Sequence, residues 1–392
     1  MSHPGTALIG DEHLPHVLWT KVQAYLPLQF RQFRPTIVTA ATAAKLRPGD
    51  EQYIHLTELR LDIIHITDNL ARYPRLQKLS TCKCPTSIPS LRHLQQLKHF
   101  ALRHCFTVTK NSNWNASLLG PKPSTAGAPA ADLQALPNLQ YLSAKFLNYP
   151  THTRSPNHFP ALRSILIGRL DDAIAFQSLE RLVILDECGP NIFANISQCT
   201  NLEHLEIDAN NTKSLSGIEC LTKLKVLKLM GQYRHSIPNV NPLGALTKLV
   251  HVDIWAQIGG SLAPLQYCTS LRHLSMGSHI GGDMGALRGL TSLTYLDLRN
   301  ANSSGAEVIG QFPLLTTLCL GQVGLSVLEQ AASLKYLTTL NIMKPKDPND
   351  LKALRPILDR PGGCFTMAST HPHSDGTSCP RVITPIAGHV PK

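Results

Sequence analysis

The chain has 392 residues, 43% of them apolar and 16% charged, which excludes wholesale disorder and provides material for a large core. No run of about 18 apolar residues exists, so nothing reads as a membrane-spanning helix. The net charge of +11 is uneven: residues 53–145 carry 11 Lys/Arg against 4 Asp/Glu, and residues 146–344 carry 15 against 14. A basic stretch of that kind suits an acidic protein surface or a nucleic-acid backbone, or it is simply a solvated face.

Residues 1–12 hold Pro4, Asp11 and Glu12 and no apolar segment. They read as a flexible N-terminus rather than a secretory signal, and the expected location is cytoplasmic or nuclear. The ten cysteines are then expected to be reduced. Cys82 and Cys84 are the one close pair, with the wrong spacing for a zinc knuckle, so neither a metal nor a cofactor is expected.

Residues 13–52 form a separate N-terminal segment. Leu18, Val22, Tyr25 and Leu26 recur at helical spacing between Pro15 and Pro27, which predicts an apolar-faced helix. Phe30, Phe33 and a second apolar run from Ile37 to Leu46 follow. Read on the residues alone, this segment is an amphipathic N-cap over whatever comes next.

From residue 53 the sequence repeats. Leu202-x-x-Leu205-x-Ile207 returns as Leu224/Leu227/Leu229, Leu249/Val252/Ile254, Leu271/Leu274/Met276, Leu293/Leu296/Leu298, Leu315/Leu318/Leu320 and Leu337/Leu340/Ile342, with steps of 22, 25, 22, 22, 22 and 22 residues. Looser copies run upstream to Leu56, giving about 13 repeats over residues 53–344. A second apolar column stands three residues before each first leucine, with Cys199 and Cys268 among its members, where cysteine acts as a small hydrophobe. Each x-Leu-x-Leu segment alternates, so it predicts a short strand with one buried face. One repeat cannot bury that face alone, so neighbours stack into a parallel sheet. The step from Leu97 to Leu139 is 42 residues, leaving a Pro/Gly/Ser-rich insertion at about 110–131 that contains Trp114. The step from Leu162 to Leu179 is 17, a clipped repeat.

Residues 345–360 predict a turn and a cap helix carrying Leu351, Leu354 and Leu358, with Pro356 weakening it. Residues 361–392 lack any period and read as a disordered tail.

The repeat resembles the short form of the leucine-rich repeat family, Leu-x-x-Leu-x-Leu-x-x-Asn, as in Leu202 to Asn210. The resemblance implies an α/β solenoid: a horseshoe with the parallel sheet on its concave face, here preceded by a short helical N-terminal segment. Most positions of the family's asparagine ladder are lost, Asn210 and Asn300 excepted. Leu14-Pro15 followed by Tyr25-Leu26-Pro27 is similar to the opening of an F-box, although the Val-x-x-x-Trp ending of that family is absent after Ile37. An F-box ahead of leucine-rich repeats resembles the substrate receptors of Skp–cullin ubiquitin ligases. That resemblance implies a Skp-type adaptor docking on Leu14, Pro15, Leu18, Val22, Tyr25, Leu26 and Pro27, and a protein target held by the repeats. The alternatives are a scaffold with no ligase link, or a binder of an acidic surface or nucleic acid through residues 53–145, nucleic acid being the less favoured partner. Monomeric behaviour outside a complex is expected.

If the leucines are buried, the intervening residues face the concavity. They include His204, Glu206 and Asp208; Lys228; His251, Asp253 and Trp255; His273; and Tyr295, Asp297 and Arg299. Trp, Tyr and Arg are the residues that dominate interface energies, so this strip is the expected partner-binding surface. Imidazoles beside carboxylates are expected to titrate near neutral pH. Neither a phosphate-binding loop, a His-Glu-x-x-His helix nor a Gly-x-Ser-x-Gly elbow is present, so no enzymatic activity is expected.

Overall fold

The computed structural model describes residues 36–39, 58–62 and most of 70–367, the longest omission within that span being 103–127. Its centre is one parallel sheet in which each strand pairs with that of the next repeat, in sequence order from Thr36–Thr39 to Cys364–Met367. Thirteen of its strands are those of the expected repeats, from Glu58–Asp62 to Thr339–Pro345. The register is held by identical positions: Leu205 pairs with Leu227, Leu227 with Val252, Val252 with Leu274, and Leu274 with Leu296.

The two ends of the sheet differ from the sequence expectation. Thr36–Thr39, placed in the helical N-terminal segment by its sequence, is a strand pairing Thr36 with Leu59. Cys364–Met367, placed in the tail, is another, pairing Thr339 with Cys364. The segment expected to cap the array is therefore the return leg of a further repeat. Its helix, Arg355–Leu358, begins with Pro356 in the first turn, where a missing N–H costs nothing. Leu354 and Ile357 pack into the common core, whereas Leu351 lies outside the described residues. Within the expected insertion, Ala128–Pro129 pairs with Leu147–Asn148; residues 110–127, with Trp114, lie outside the described residues.

The convex legs are built by a triplet. Leu262, Leu265, Cys268, Leu271 and Leu274 stand three residues apart and are all fully buried. Each of the first three steps closes a tight turn: Leu265 N–H donates to Leu262 O at 3.0 Å, Cys268 to Leu265 at 2.9 Å and Leu271 to Cys268 at 2.9 Å. A 3₁₀ helix has three residues per turn, so residues at that spacing share one face. Hence the legs at Asn241–Ala245, Ala263–Tyr267, Met284–Leu287 and Ala306–Gln311 are 3₁₀ rather than α. A 22-residue repeat leaves few residues for the return, and 3₁₀ turns advance further per residue. The longest helical segment among the described residues, Leu325–Ser333, is α-helical.

Where each leg enters its strand, two successive amides share one carbonyl of the preceding repeat: Lys225 and Val226 N–H both donate to Glu203 O, at 2.8 and 3.0 Å. Late in the array threonine adds a side-chain rung. The hydroxyls of Thr294, Thr316 and Thr338 donate to Arg272 O, Thr294 O and Thr316 O at 3.0, 2.9 and 3.3 Å. The cysteines of the second column are core residues. Cys199 and Cys268 are fully buried, and burial pushes each thiol up to about 11. Among the described residues, no helix is long and apolar enough to cross a membrane.

Candidate functional site on the concave sheet

Alternation places one side of every strand in the core and the other on the open face. In His204–Asp208 and His251–Ile254 the residues are half-buried and buried by turns. The register then lines up equivalent open-face residues into rows across the sheet. The first row contains Arg181, His204, Val226, His251, His273, Tyr295 and Thr317. Parallel strands lie close to the thickness of a pair of stacked rings apart. The imidazoles of His251 and His273 therefore stack at 4.0 Å and 5°, and His273 stacks on Tyr295 at 4.0 Å and 9°. His99 and Tyr141 form a similar pair at 4.1 Å upstream.

The second row reads Glu206, Lys228, Asp253, Ser275, Asp297, Cys319 and Asn341. Here the alternation breaks. Ser275, Asp297 and Cys319 are buried although they point away from the core, because neighbouring side chains on the open face close over them. Asp297 survives burial through Arg299: Nη2 donates to Oδ2 at 2.8 Å and Nε to Oδ1 at 3.1 Å, while the Arg299 backbone N–H donates to Oδ1 at 3.2 Å. A carboxylate so satisfied can be tolerated out of water. The guanidinium carbon of Arg299 lies 6.0 Å from the Trp255 ring centroid, at the outer reach of a cation–π contact. Met230, 43% exposed, is the apolar residue most open to solvent on this side among the described residues.

The expectation that the imidazoles titrate near neutral pH is corrected. Burial is the largest influence on His204, His251 and His273, and it lowers all three; His273 is pushed down to about 4. Arg181 adds to the effect at His204, His251 at His273, and Lys228 at all three. Stacked rings shield one another from water, and a protonated stack would repel itself. Burial likewise raises Asp253, opposed by the nearby polar groups of Ser275 and Trp255 and by the charges of His251 and Lys228. His204 Nε2 and Glu206 Oε2 are 3.7 Å apart, too far for a hydrogen bond.

Of the eleven residues expected on the concave face, nine lie within the strands of the sheet, and Trp255 and Arg299 directly follow theirs. The seven expected to dock an adaptor, Leu14, Pro15, Leu18, Val22, Tyr25, Leu26 and Pro27, lie outside the described residues. One grouping was missed in the sequence: donor atoms of His251, Asp253 and His273 all come within 4.8 Å of one another. A short-range motif cannot reveal it, since it arises from a 22-residue step; the repeat period puts His251 and His273 in one row, and the register of adjoining strands brings them together with Asp253.

Strands, triplet-built legs and shared-carbonyl turns together define a leucine-rich repeat solenoid, an α/β horseshoe with its parallel sheet on the concave face. Solved structures agree on the fold. A leucine-rich repeat protein of Leptospira interrogans superposes with a TM-score of 0.61 at 20% identity, covering 81% of this chain and 79% of that one. A TDR receptor gives 0.56 at 15% identity, over 82% and 56% of the two chains. An internalin of Listeria monocytogenes gives 0.51 at 18% identity, over 79% and 81%. No protein-family model matches the sequence, and no curated protein sequence does.

Proposed function

We propose that this chain is a protein-binding module that holds its partner on the concave sheet between His204 and Arg299. The observation that carries this reading is the stacked strip His251–His273–Tyr295, flanked by Trp255, Arg299 and the exposed Met230. The rings are lined up by the strands, so a partner pays little to order them on binding. Their preference for the neutral form keeps the strip apolar at neutral pH, and Trp, Tyr and Arg supply anchors. The leucine-rich repeat neighbours support a binding role for the fold.

The test is site-directed photo-crosslinking. A crosslinker at Met230 should capture the partner, and one at the exposed Tyr267 on the convex side should not. Trp255→Ala with Tyr295→Ala should weaken capture at Met230 at least tenfold, the scale of one hot-spot contact of roughly 2 kcal/mol or more. Capture from the convex position alone would overturn the assignment.

The finer reading is a substrate receptor of a Skp–cullin ubiquitin ligase. It is supported by Leu14-Pro15 and Tyr25-Leu26-Pro27 at F-box separation ahead of the repeats. Co-purification with a Skp-type adaptor, abolished by Tyr25→Glu with Leu26→Glu while the repeat array stays folded, is the expected result. Retained binding by that variant would remove the dock.

A further inference from the structure

We infer that His251, Asp253 and His273 form a binding site for one divalent transition-metal ion of the zinc class on the concave sheet. Their donor atoms lie within 4.8 Å of one another. The register fixes this: His251 pairs with His273 on the adjoining strand, and Asp253 follows two residues along on the same face.

An independent observation points to a ligand. His251 Nε2 and Asp253 Oδ1 are both buried without a hydrogen-bond partner. Buried polar atoms are nearly always satisfied, and leaving one unmade is costly. Two such atoms in one cluster of three metal-ligating side chains mark a place where a bound ion would complete the bonding.

The donor set also selects the ion. Two imidazoles and a carboxylate suit zinc and its first-row neighbours, not calcium or magnesium, which demand oxygen. Zinc holds N and O ligands at about 2.0–2.2 Å in a tetrahedron, which sets donors roughly 3.3 Å apart. Loading therefore draws the three groups inward and turns the imidazoles out of their 5° stack. The position left over faces the open side of the sheet. Ser275, which pairs with Asp253 in register, and Trp255, two residues further along the chain, would orient the carboxylate as outer partners. Lys228 pairs with Asp253 in register and opposes a second cation, so its removal must strengthen binding. The site does not depend on the protein-binding reading, since it is assayed on the isolated chain.

The full-length chain, stripped with chelator, is titrated with Zn²⁺ against a chromophoric competitor and with Co²⁺ followed by its visible absorption. Other histidines and cysteines can also take zinc, so the difference between variants is decisive. Asp253→Asn and His273→Gln should each weaken one equivalent at least tenfold, and the Co²⁺ band should change with them. Lys228→Met should tighten that equivalent several-fold, and His99→Gln, in the other ring pair, should leave it unaltered. Should His273→Gln fail to fold by circular dichroism, the near-isosteric Asp253→Asn decides. Zinc affinity and stoichiometry unchanged by Asp253→Asn, or no zinc retained by the wild-type chain, would overturn the assignment.

Discussion

Replacing Arg299 with Met removes the charge that satisfies Asp297 while keeping most of the apolar stem. Asp297 is 3% exposed, and the Arg299 side chain is 18% exposed, so the pair is largely shielded from solvent. Opposite charges about 4 Å apart attract by about 4 kcal/mol at an effective dielectric of 20. Part of that is returned, because Met needs no desolvation of a guanidinium. Removing one partner of a buried pair costs about 3–5 kcal/mol; the partial exposure of Arg299 puts the expectation at about 2–4. Urea unfolding followed by far-UV circular dichroism measures it. Asp297→Asn with Arg299→Met should cost less than the sum of the two single changes, with a coupling of about 1–3 kcal/mol. A loss below about 0.5 kcal/mol for Arg299→Met would show that Asp297 is not held by this pair.

Gly217 has a φ of +102°, and a Cβ there would meet Phe193 O at 2.7 Å. Gly217→Ala should therefore cost about 2–4 kcal/mol from strain and overlap, whereas Gly289→Ala, with nothing within 4 Å, should change urea stability by less than about 1 kcal/mol. His273 is pushed down to about 4 in the fold against 6.5 ordinarily; the folded state prefers the neutral ring, so its contribution is complete above pH 6.5 and is lost as pH falls from 6.5 through 4. At 1.36 kcal/mol for each tenfold change in proton affinity, discounted because the ring is partly exposed, the wild type should lose roughly 1–2 kcal/mol more than His273→Gln over that range, measured by urea unfolding in chelator. Equal losses would dismiss the shielded stack. Maleimide at pH 7 should label the exposed Cys220 in the native protein and reach the buried Cys199 and Cys268 only after denaturation, as read by mass spectrometry; native labelling of Cys268 would place it outside the core.

The solenoid was legible because its driving force is periodic. Leucines at steps of 22 residues declare a buried column, and a column can be buried only if the repeats stack. The convex legs were not read from the sequence: Leu262, Leu265, Cys268 and Leu271 carry a three-residue period, but the strand motif does not name the 3₁₀ turns that this period builds. The ends were less legible. Thr36–Thr39 and Cys364–Met367 join the sheet through backbone hydrogen bonds to an edge already built, and such bonds ask little of side-chain identity.

Sequence alone determined which residues stand on the concave face, because a strand's side chains alternate whatever their chemistry. Only the tertiary structure decided what those residues do to one another. Stacking repeats brings His251 to 4.0 Å from His273, residues 22 apart in the chain, and closes the open face over Asp297. Burial then sets their protonation, and burial is a property of neighbours in space that no single segment of the sequence contains.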